Sequence, residues 1–492
     1  MRIGFLGNAN NYPFMLARAV RRAGHEILFV LNRRNALDRP ENRYEDVDLA
    51  KSDWIVDAGD LEATERFQFP PESPLRDRVV SLLSECDAVI LNHAALSLAS
   101  LIGRPHLALL TGTDIQNLAN PDYVHAADGF PLADRLWLEN AIARQRSGIA
   151  SAVGVSAFFR GLVPRHDATL DGLGVGSDRR FFCWMTDPAY IKAADAPDNQ
   201  RVRIFNLARL TWKRVGEGEF TEDHKASDVM IRGLGRFVER HPEVDLEIRL
   251  VEKGLQVEEA RNLIAASGLS SRVTWLKEMT QREVLEEYRN ADILFDQMGL
   301  SVVAMGGLDA MAVGRPLIAN ARPDVLQHWT KTPPICHAAT VEEVTTQLER
   351  LILDPDERRR VGRESRAYVE QHCSAEQSAR LCVERLDRVM SDTVRYSAWT
   401  AEAMEAKDQL LDERETRLAR AEAELAERDR LVTEKENRIE DEYRLRVLRD
   451  QISEQRAELI RGFAAYDALR IVRWQRSLKA WARRLTGQTG PA

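Results

Sequence analysis

The stretch ADILFDQMGLSVVAMGGLDAMAVGRPLIAN, residues 291–320, decides the fold. The apolar run Asp292–Asp296 predicts a buried strand, and a glycine-containing turn leads from it into a short helix, Gly307–Val313. A second apolar run, Pro316–Asn320, predicts another strand. Strand, helix and strand in succession indicate a parallel sheet that is covered by helices.

The same alternation of strands and helices extends towards the N-terminus. Before residue 160 the pattern predicts strands at Ile3–Gly7, Glu26–Leu31, Asp87–Leu91, His106–Gly112 and Ile149–Val155, with a helix at Phe14–Ala23. After a connector it predicts strands at Val202–Asn206, Leu246–Val251 and Val273–Leu276, and helices at Ser227–Arg240, Val257–Ser267 and Gln281–Asn290. We therefore expect an α/β protein with two doubly wound, Rossmann-like domains that face a cleft, where ligands bind at the carboxyl ends of the strands.

Changes in composition set the predicted domain boundaries. With 492 residues the chain is too long for one ordinary domain. The predicted units are a first Rossmann-like domain (1–165), a connector (166–200), a second Rossmann-like domain (201–354), a helical pair (355–395), a charged helix (396–460) and a basic tail (461–492).

The charged helix has a heptad repeat. Residues 401–460 contain 12 Lys or Arg and 18 Asp or Glu residues. One apolar line with a spacing of seven is formed by Leu411, Leu418, Leu425, Val432 and Ile439, whereas the companion line is mostly charged. The repeat favours a coiled coil that would make the chain a homo-oligomer, and the alternative is a solvated single helix held by ion pairs.

The basic tail, 461–492, combines seven Lys or Arg residues with tryptophans at largely helical spacing. Such a helix is able to lie on an anionic membrane surface. It is equally able to pack on a partner or on the acidic helix of its own chain. The tail therefore predicts either peripheral membrane contact or ordinary packing.

The bulk composition excludes several classes of protein. A net charge of −8 gives no reason to expect nucleic acid as a partner. The five cysteines are scattered without zinc-site or redox spacing, and no His, Asp or Cys cluster has the spacing of metal ligands. No signal-peptide core and no run of about 18 apolar residues is present. We expect a cytoplasmic protein with reduced thiols and no metal.

A glycine turn opens the short helix of the deciding stretch. Gly306 and Gly307 at a helix N-terminus allow backbone N–H groups to approach a phosphate, and the helix dipole favours the negative charge. Asp309, in the first turn, is able to accept hydrogen bonds from ribose hydroxyls. The turn therefore predicts a nucleotide site in the second domain.

The deciding stretch resembles the retaining GT-B glycosyltransferases of family 4, whose signature is Glu-x7-Glu followed by Ala-Met-Ala-x-Gly-x-Pro. Asp309–Pro316 matches the second half, with Asp309 in the place of the second Glu. The Asp296-Gln297 pair is similar to one branch of that superfamily. Ser301 stands where the first Glu would be, and in the family that acid contacts the hydroxyls of the donor sugar.

The resemblance implies the ligands of a donor diphosphate. RVRIFNLARLTWKR followed by HKASD resembles the family pattern that carries these cations, which implies Arg209 and Lys225. Lys213 and Arg214 remain alternatives. Lys277 and Glu278 lie in the loop whose backbone atoms hold the nucleobase in the family.

Candidates in the first domain lie where its strands end. Gly7 and Asn10 resemble the GT-B loop beneath the donor phosphates, and a plain structural turn is the alternative. Asp114 either binds acceptor hydroxyls or caps the following helix. Asn92 and His93 are similar candidates at another strand end.

The resemblance implies a metal-independent transferase that moves a sugar from a UDP- or GDP-sugar to a glycan, a lipid-linked molecule or a protein, with retention of configuration. The helical pair resembles the helices that cross back to the first domain in GT-B enzymes. Ser301 favours one alternative, a degenerate GT-B scaffold without turnover. A second alternative is a nucleotide-sugar epimerase.

Overall fold

The computed structural model describes residues 1–32, 35–59, 74–122, 132–197, 199, 201–213, 224–299, 303–326, 332–392, 430, 449 and 451–458, with the backbone alone for 132–137. Internal contacts divide the chain into one compact unit, Met1–Leu411, and a second unit, Asp412–Ala492. In the second unit, the described segment 451–458 is helical and largely exposed. The predicted heptad positions and the basic tail lie outside the described residues.

The first sheet has seven strands in the order β3-β2-β1-β4-β5-β6-β7, and every pairing in it is parallel. In its central pairing Leu6 lies opposite Leu91, so that β1 and β4 end at the same edge. The central strands are buried along most of their length, as expected where helices cover both faces. The strands are β1 Arg2–Leu6, β2 Glu26–Leu31, β3 Ile55–Asp57, β4 Ala88–Asn92, β5 His106–Leu109, β6 Gly154–Ser156 and β7 Arg180–Phe181.

The second sheet has six strands in the order β10-β9-β8-β11-β12-β13, again all parallel. Phe295 at the end of β11 lies opposite Asn206 at the end of β8. Two parallel, doubly wound sheets confirm the predicted fold class. The strands are β8 Val202–Asn206, β9 Leu246–Val251, β10 Val273–Leu276, β11 Ile293–Phe295, β12 Leu317–Ala319 and β13 Cys336–His337.

Helices connect these strands and cover both sheets. In the helix Ser227–Arg240, Met230, Ile231, Leu234 and Phe237 are buried on one face, which is why hydrophobic periodicity predicts its limits correctly. The helices are α1 Tyr12–Arg22, α2 Pro74–Ser84, α3 Ala99–Ile102, α4 Thr113–Gln116, α5 Leu132–Ala150, α6 Pro164–Gly172, α7 Ser227–Arg240, α8 Val257–Ala266, α9 Gln281–Asn290, α10 Met305–Val313, α11 Pro323–Leu326, α12 Val341–Ile352, α13 Pro355–His372 and α14 Ala375–Ser391.

The last described helix of the compact unit, α14, packs on the first domain. Its residues Ala375, Ala379, Cys382 and Leu386 recur every three or four positions and are buried in one cluster with the core of β1 and α1. Where α14 begins, Thr186 pairs with its backbone through Thr186 N to Cys373 O and Ala375 N to Thr186 O, both 2.8 Å. The chain therefore returns from the second sheet to the first.

Two features of the first domain differ from the sequence prediction. Ile149, predicted to begin a strand, lies near the end of α5, and β6 starts only at Gly154. Apolar runs of this length do not distinguish a buried helix end from a strand. The short strand β7, inside the predicted connector, forms the edge of the first sheet. All five cysteines are free and buried.

Candidate active site

Both sheets contain a topological switch point, where consecutive connections leave on opposite faces. It lies between β1 and β4 in the first sheet and between β8 and β11 in the second. Loops that diverge there leave a crevice at the carboxyl ends of the strands, which is where α/β proteins bind ligands. Gly7 follows β1, Arg209 and Lys225 follow β8, and Gln297 follows β11. The structure therefore places these candidates at the two switch points.

The loop after β1 needs a glycine at its first position. Gly7 has a φ of +88°, and a Cβ atom there would overlap the carbonyl oxygen of Asn92 at the end of β4. Asn10 and Asn11 are also left-handed, with φ of 54° and 60°, a conformation that asparagine tolerates better than most residues. These constraints are in keeping with the structural alternative, a tight turn after β1 that passes close to the end of β4.

Two backbone N–H groups of this loop donate hydrogen bonds to side-chain oxygens. The N–H of Ala9 donates to Asn92 Oδ1 at 2.9 Å, and the N–H of Asn10 donates to Asp38 Oδ1 at 2.8 Å. An anion-binding nest needs amides that point at a ligand. In this structure these two amides stabilise the loop itself and leave the carbonyl of Asn10 facing the second domain.

The asparagines of the loop hold two neighbouring segments. Asn8 Nδ2 donates to Asp38 O at 2.7 Å, and Asn11 Nδ2 donates to Leu37 O at 3.0 Å. Across the cleft, Gln281 at the start of α9 donates from Nε2 to Asn10 O and accepts from Asn11 Nδ2, both at 3.1 Å. The loop therefore connects the first sheet to the first turn of a helix in the second domain.

At the switch point of the second sheet, Lys225 and Gln297 lie together. Lys225 Nζ donates to Gln297 Oε1 at 2.7 Å, and Lys225 precedes Ala226, which has a φ of 48°. The exposed Arg209 lies in the same loop region, since its carbonyl accepts from Ser227 Oγ at 2.9 Å. Of the two alternatives, Lys213 is exposed and paired with Glu259 of α8 at 2.9 Å, and Arg214 lies outside the described residues.

Helix α10 begins beside the half-buried carboxylate of Asp296. Asp296 accepts from the N–H of Ala304 at 3.0 Å and from that of Gln297 at 2.8 Å, and burial raises the pKa of this carboxyl. A Cβ at Gly307 would meet Val303 Cγ1 at 2.5 Å and the Asp296 carboxylate at 2.8 Å. Close packing therefore requires glycine at position 307, and Gly306 lies half-buried one residue earlier. Ser301, four positions before this helix in the sequence, lies outside the described residues.

Asp309 has a different environment from that of the ribose ligand that the sequence predicts. Its carboxylate receives a bidentate pair from Arg43 of the first domain, at 2.9 and 3.0 Å, and a hydrogen bond from Thr186 Oγ1 at 2.5 Å. Burial of the guanidinium opposes its charge, but the Asp309 carboxylate outweighs this and raises the pKa of Arg43 above its ordinary value. The oxygens expected to bind ribose therefore accept hydrogen bonds from protein donors.

Asp114 is fully buried at the end of β5. Its oxygens accept from the N–H groups of Thr111, at 2.8 and 3.0 Å, and of Gly112 at 2.9 Å. Asp114 lies inside α4, whose N-cap is Gly112, so its carboxylate holds the loop before the helix and does not cap the helix. Its burial does not match an acceptor ligand either, which would need an exposed carboxylate. His93 is also buried, has a φ of 58°, and accepts at its carbonyl from Gln145.

Lys277 and Glu278 follow β10, the edge strand of the second sheet, and both are exposed. Glu278 accepts from Lys253 Nζ at 3.3 Å, so that the ends of β9 and β10 are joined. In the strand order, β10 lies two strands from β8, and β11 lies next to β8 in the other direction.

Sequence reasoning missed Arg43, Thr186 and Gln281. Arg43 lies in the unremarkable stretch ENRYED, and Thr186 lies in the predicted connector. Neither belongs to a motif, and 266 positions separate Arg43 from Asp309. Gln281 carries a weak signal, because it is the first residue of a helix with a Thr280–Glu283 capping box.

The described residues contain neither a candidate metal site nor a candidate membrane-spanning helix. No group of three or more His, Cys, Asp or Glu side chains among them lies close enough to hold a metal ion. None of the helices formed by these residues is long and apolar enough to cross a bilayer.

Comparison with a family model gives a match over most of the second domain and part of the helical pair that follows it. Residues 221–368 match the model described as Glycosyl transferases group 1. The matched range contains Lys225, Gln297 and Asp309 and ends within α13. No curated protein sequence matches the chain.

Solved structures share the fold at low identity. HepE from Anabaena, in complex with UDP and glucose, has a TM-score of 0.53 and 15% identity, covering 79% of this chain and 100% of that chain. The same protein in complex with UDP-glucose gives 0.52 and 16%, with the same coverage. A glycosyltransferase from Rickettsia africae gives 0.53 and 13%, covering 80% of this chain and 99% of that chain. The architecture over this range is GT-B.

Proposed function

We propose that this protein, a GT-B glycosyltransferase whose residues 221–368 match the glycosyl transferases group 1 family, moves a sugar from a nucleoside diphosphate sugar to an acceptor in the cleft. The observation that carries the proposal is the position of Lys225 and Gln297 at the switch point of the second sheet, within the matched range. UDP and UDP-glucose in the HepE structures support a uridine nucleotide as the donor.

In this proposal the donor diphosphate binds where β8 and β11 end. Lys225 and Arg209 neutralise the nucleoside diphosphate as the bond between its β-phosphate oxygen and the anomeric carbon breaks. Gln297 holds the Lys225 ammonium in place, and the N-terminus of α10 at Gly306 adds a favourable dipole. Basic side chains and a helix end thus supply the charge stabilisation that a metal ion supplies in other transferases.

The nucleobase would lie against the backbone of Lys277 and Glu278, in keeping with the family resemblance. The acceptor, a glycan, a lipid-linked molecule or a protein, would enter from the first domain beside the exposed Asn10. Retention of configuration follows from the same resemblance, with the leaving phosphate as the base that deprotonates the acceptor hydroxyl. Asp114 has no role in this scheme, because its carboxylate is buried.

Calorimetric titration with UDP, GDP and UDP-glucose tests the proposal. In Lys225→Ala the loss of a charged donor to the diphosphate is expected to weaken UDP binding by about tenfold or more. Lys213→Ala is the matched control, because Lys213 is paired with Glu259 on the surface, and it should bind UDP like the wild type. Equal losses in both variants, or no binding of any nucleotide to the wild type, would contradict the proposed site.

A scaffold without turnover is the second candidate function. The observation that favours it is the burial of Asp309 against Arg43, which removes a family ligand from the cleft. Incubation with UDP-glucose, with and without candidate acceptors, separates the candidates. Transfer or slow hydrolysis supports the transferase, an unchanged donor that still binds supports the scaffold, and an epimerised donor supports the epimerase alternative.

A further inference from the structure

One carboxylate joins three segments of the chain. Asp309 belongs to α10 of the second domain, and it accepts from Arg43 of the first domain and from Thr186 between the two domains. Arg43 is 1% exposed and Asp309 6%, so the pair is shielded from solvent. A charge pair this deeply buried persists only when both partners are well hydrogen-bonded, and this one has a bidentate geometry.

The carboxylate of Asp309 has little capacity left for a ligand. Two carboxylate oxygens offer about four acceptor positions, and Arg43 and Thr186 already occupy three of them. A pair of adjacent ribose hydroxyls would have to displace the guanidinium, which would leave a buried cation without its counter-charge.

The segment that carries Arg43 is held in place by the first domain. Asn8 and Asn11 donate to Asp38 O and Leu37 O, which ties this segment to the end of β1. On its other side, Tyr190 Oη donates to Arg43 O at 3.1 Å, and the two rings of Tyr44 and Tyr190 pack edge to face. Hydrogen bonds and the short chain segment from Leu37 to Arg43 therefore connect the switch point of the first sheet to Asp309.

The far end of this path is the helix of the proposed diphosphate site. Asp309 lies one turn after Met305, where α10 begins, and α10 packs between β11 and β12. A bidentate pair defines both the distance and the direction of approach of the two groups. Arg43 therefore determines where the N-terminus of α10 lies relative to the loop after β1.

We infer that Asp309 in this chain joins the two domains in place of binding ribose, and that Arg43 is a positioning residue that sets the donor half of the cleft against the acceptor half. The expected effect on catalysis rests on the proposed function, whereas the contact between the two domains does not. A displacement of about 1 Å between reacting groups costs about 100-fold in rate. Loss of this junction is therefore expected to lower kcat more than it weakens nucleotide binding.

Two conservative variants test the inference. Arg43→Lys keeps the charge but loses the bidentate fork. Asp309→Glu restores the residue type of the family signature but adds a methylene in a site where Arg43 and Thr186 are already placed. The matched control is Arg39→Met, because Arg39 lies in the same segment and its guanidinium pairs with Glu41 and Asp57, both of the first domain.

The first measurement compares the Kd for UDP with the kcat for UDP-glucose hydrolysis in each variant. For Arg43→Lys and Asp309→Glu we expect a kcat for UDP-glucose hydrolysis lower by about 100-fold, with a Kd for UDP near the wild-type value. Arg39→Met should change neither quantity. A rise in the Kd for UDP with kcat unchanged, or an Asp309→Glu variant as active as the wild type, would overturn the inference, because both results mark Asp309 as a nucleotide ligand.

The second readout is independent of activity. Hydrogen exchange of the full chain, followed by mass spectrometry, should show faster exchange in peptides from both 36–46 and 305–313 in Arg43→Lys, and in neither peptide in Arg39→Met. Unchanged exchange at 305–313 would disprove the junction. If the wild type neither binds nor hydrolyses a nucleotide sugar, the proposed function fails and the exchange data alone decide the structural inference.

A double variant separates stability from positioning. Arg43→Met with Asp309→Leu removes both charges, and the replacement of a buried pair by apolar residues is often neutral in stability. We expect a Tm near that of the wild type with kcat still low. Recovery of kcat together with Tm would contradict a positioning role.

Discussion

Three acidic side chains near the strand ends of this protein have different donors around them. Asp114 accepts from the amides of its own loop, Asp309 from Arg43 and Thr186, and Asp296 from the amides of Ala304 and Gln297. A carboxylate whose acceptor positions are filled by protein donors is not available to a ligand. The chemical role of each acid is therefore set by its neighbours, although all three are aspartates that follow a strand on the chain.

The tight turn after β1 provides a prediction at this scale. Gly7→Ala is expected to lower the free energy of unfolding by more than about 2 kcal/mol, the upper cost of a left-handed alanine, because the new Cβ also overlaps the Asn92 carbonyl. Gly24→Ala is the control, since Gly24 has a similar φ of +92° but no atom within 4 Å of the added Cβ. Urea unfolding of both variants should show the larger loss at position 7. Equal losses would mean that the contact with β4 contributes nothing.

At the scale of elements, α10 serves two purposes. The buried turns Gly307–Val313 pack among β11, β12 and α13. The N-terminus of the helix lies after β11, on the side of the switch point. Gly307 satisfies the packing requirement, and the half-buried Gly306 lies in the first turn of the same helix. Adjacent glycines in one turn are thus expected to have separate functions.

Alanine substitutions at these two glycines should separate stability from binding. In Gly307→Ala the Cβ meets Val303 and Asp296, and overpacking is expected to lower the free energy of unfolding by about 2 kcal/mol. In Gly306→Ala the nearest atom is Tyr288 Oη at 3.1 Å, so the change in stability should stay within about 1 kcal/mol while UDP binding weakens. Thermal unfolding and calorimetry measure both effects. A Gly306→Ala variant that binds UDP normally would argue against phosphate at this helix end.

At the scale of the whole molecule, several separate contacts join the two domains of the compact unit Met1–Leu411. The pair Arg43–Asp309 joins the domains beside the cleft, and α14 returns to the core of the first domain. Arg366 of α13 adds hydrogen bonds to the carbonyls of Ile191 and Pro188 in the segment between the two domains. These contacts fix the relative placement of the two sheets without a covalent link such as a disulfide among the five cysteines.

Deletion of residues 396–492 tests the division of the chain. Because the proposed nucleotide site lies within 201–326, the truncated protein should bind UDP with the wild-type Kd. The mass by light scattering should fall to that of a monomer if the heptad repeat forms a coiled coil, and recovery on anionic vesicles should fall if the basic tail contacts membranes. Loss of UDP binding on truncation would contradict the predicted division.

Periodicity in the sequence predicts most elements near the two switch points. The limits of Val202–Asn206, Ser227–Arg240, Leu246–Val251 and Gln281–Asn290 agree with the structure, because each has an apolar pattern that matches its own period and a clear end. Short elements were missed: β3, β7 and β13 have two or three residues each, too few for a period to be visible. The predicted strand from Ile149 was wrong at its beginning, where α5 continues to Ala150.

Local chemistry was thus determined by the sequence alone: the α/β alternation, the glycine turn at α10, and cations that follow β8 on the chain. Only the tertiary structure decided that Lys225 meets Gln297, that Asp114 is buried, and that Asp309 meets Arg43. The physical reason is range. Helix and strand patterns depend on neighbours a few positions apart, whereas a hydrogen bond between residues 266 positions apart exists only after both sheets have formed and docked.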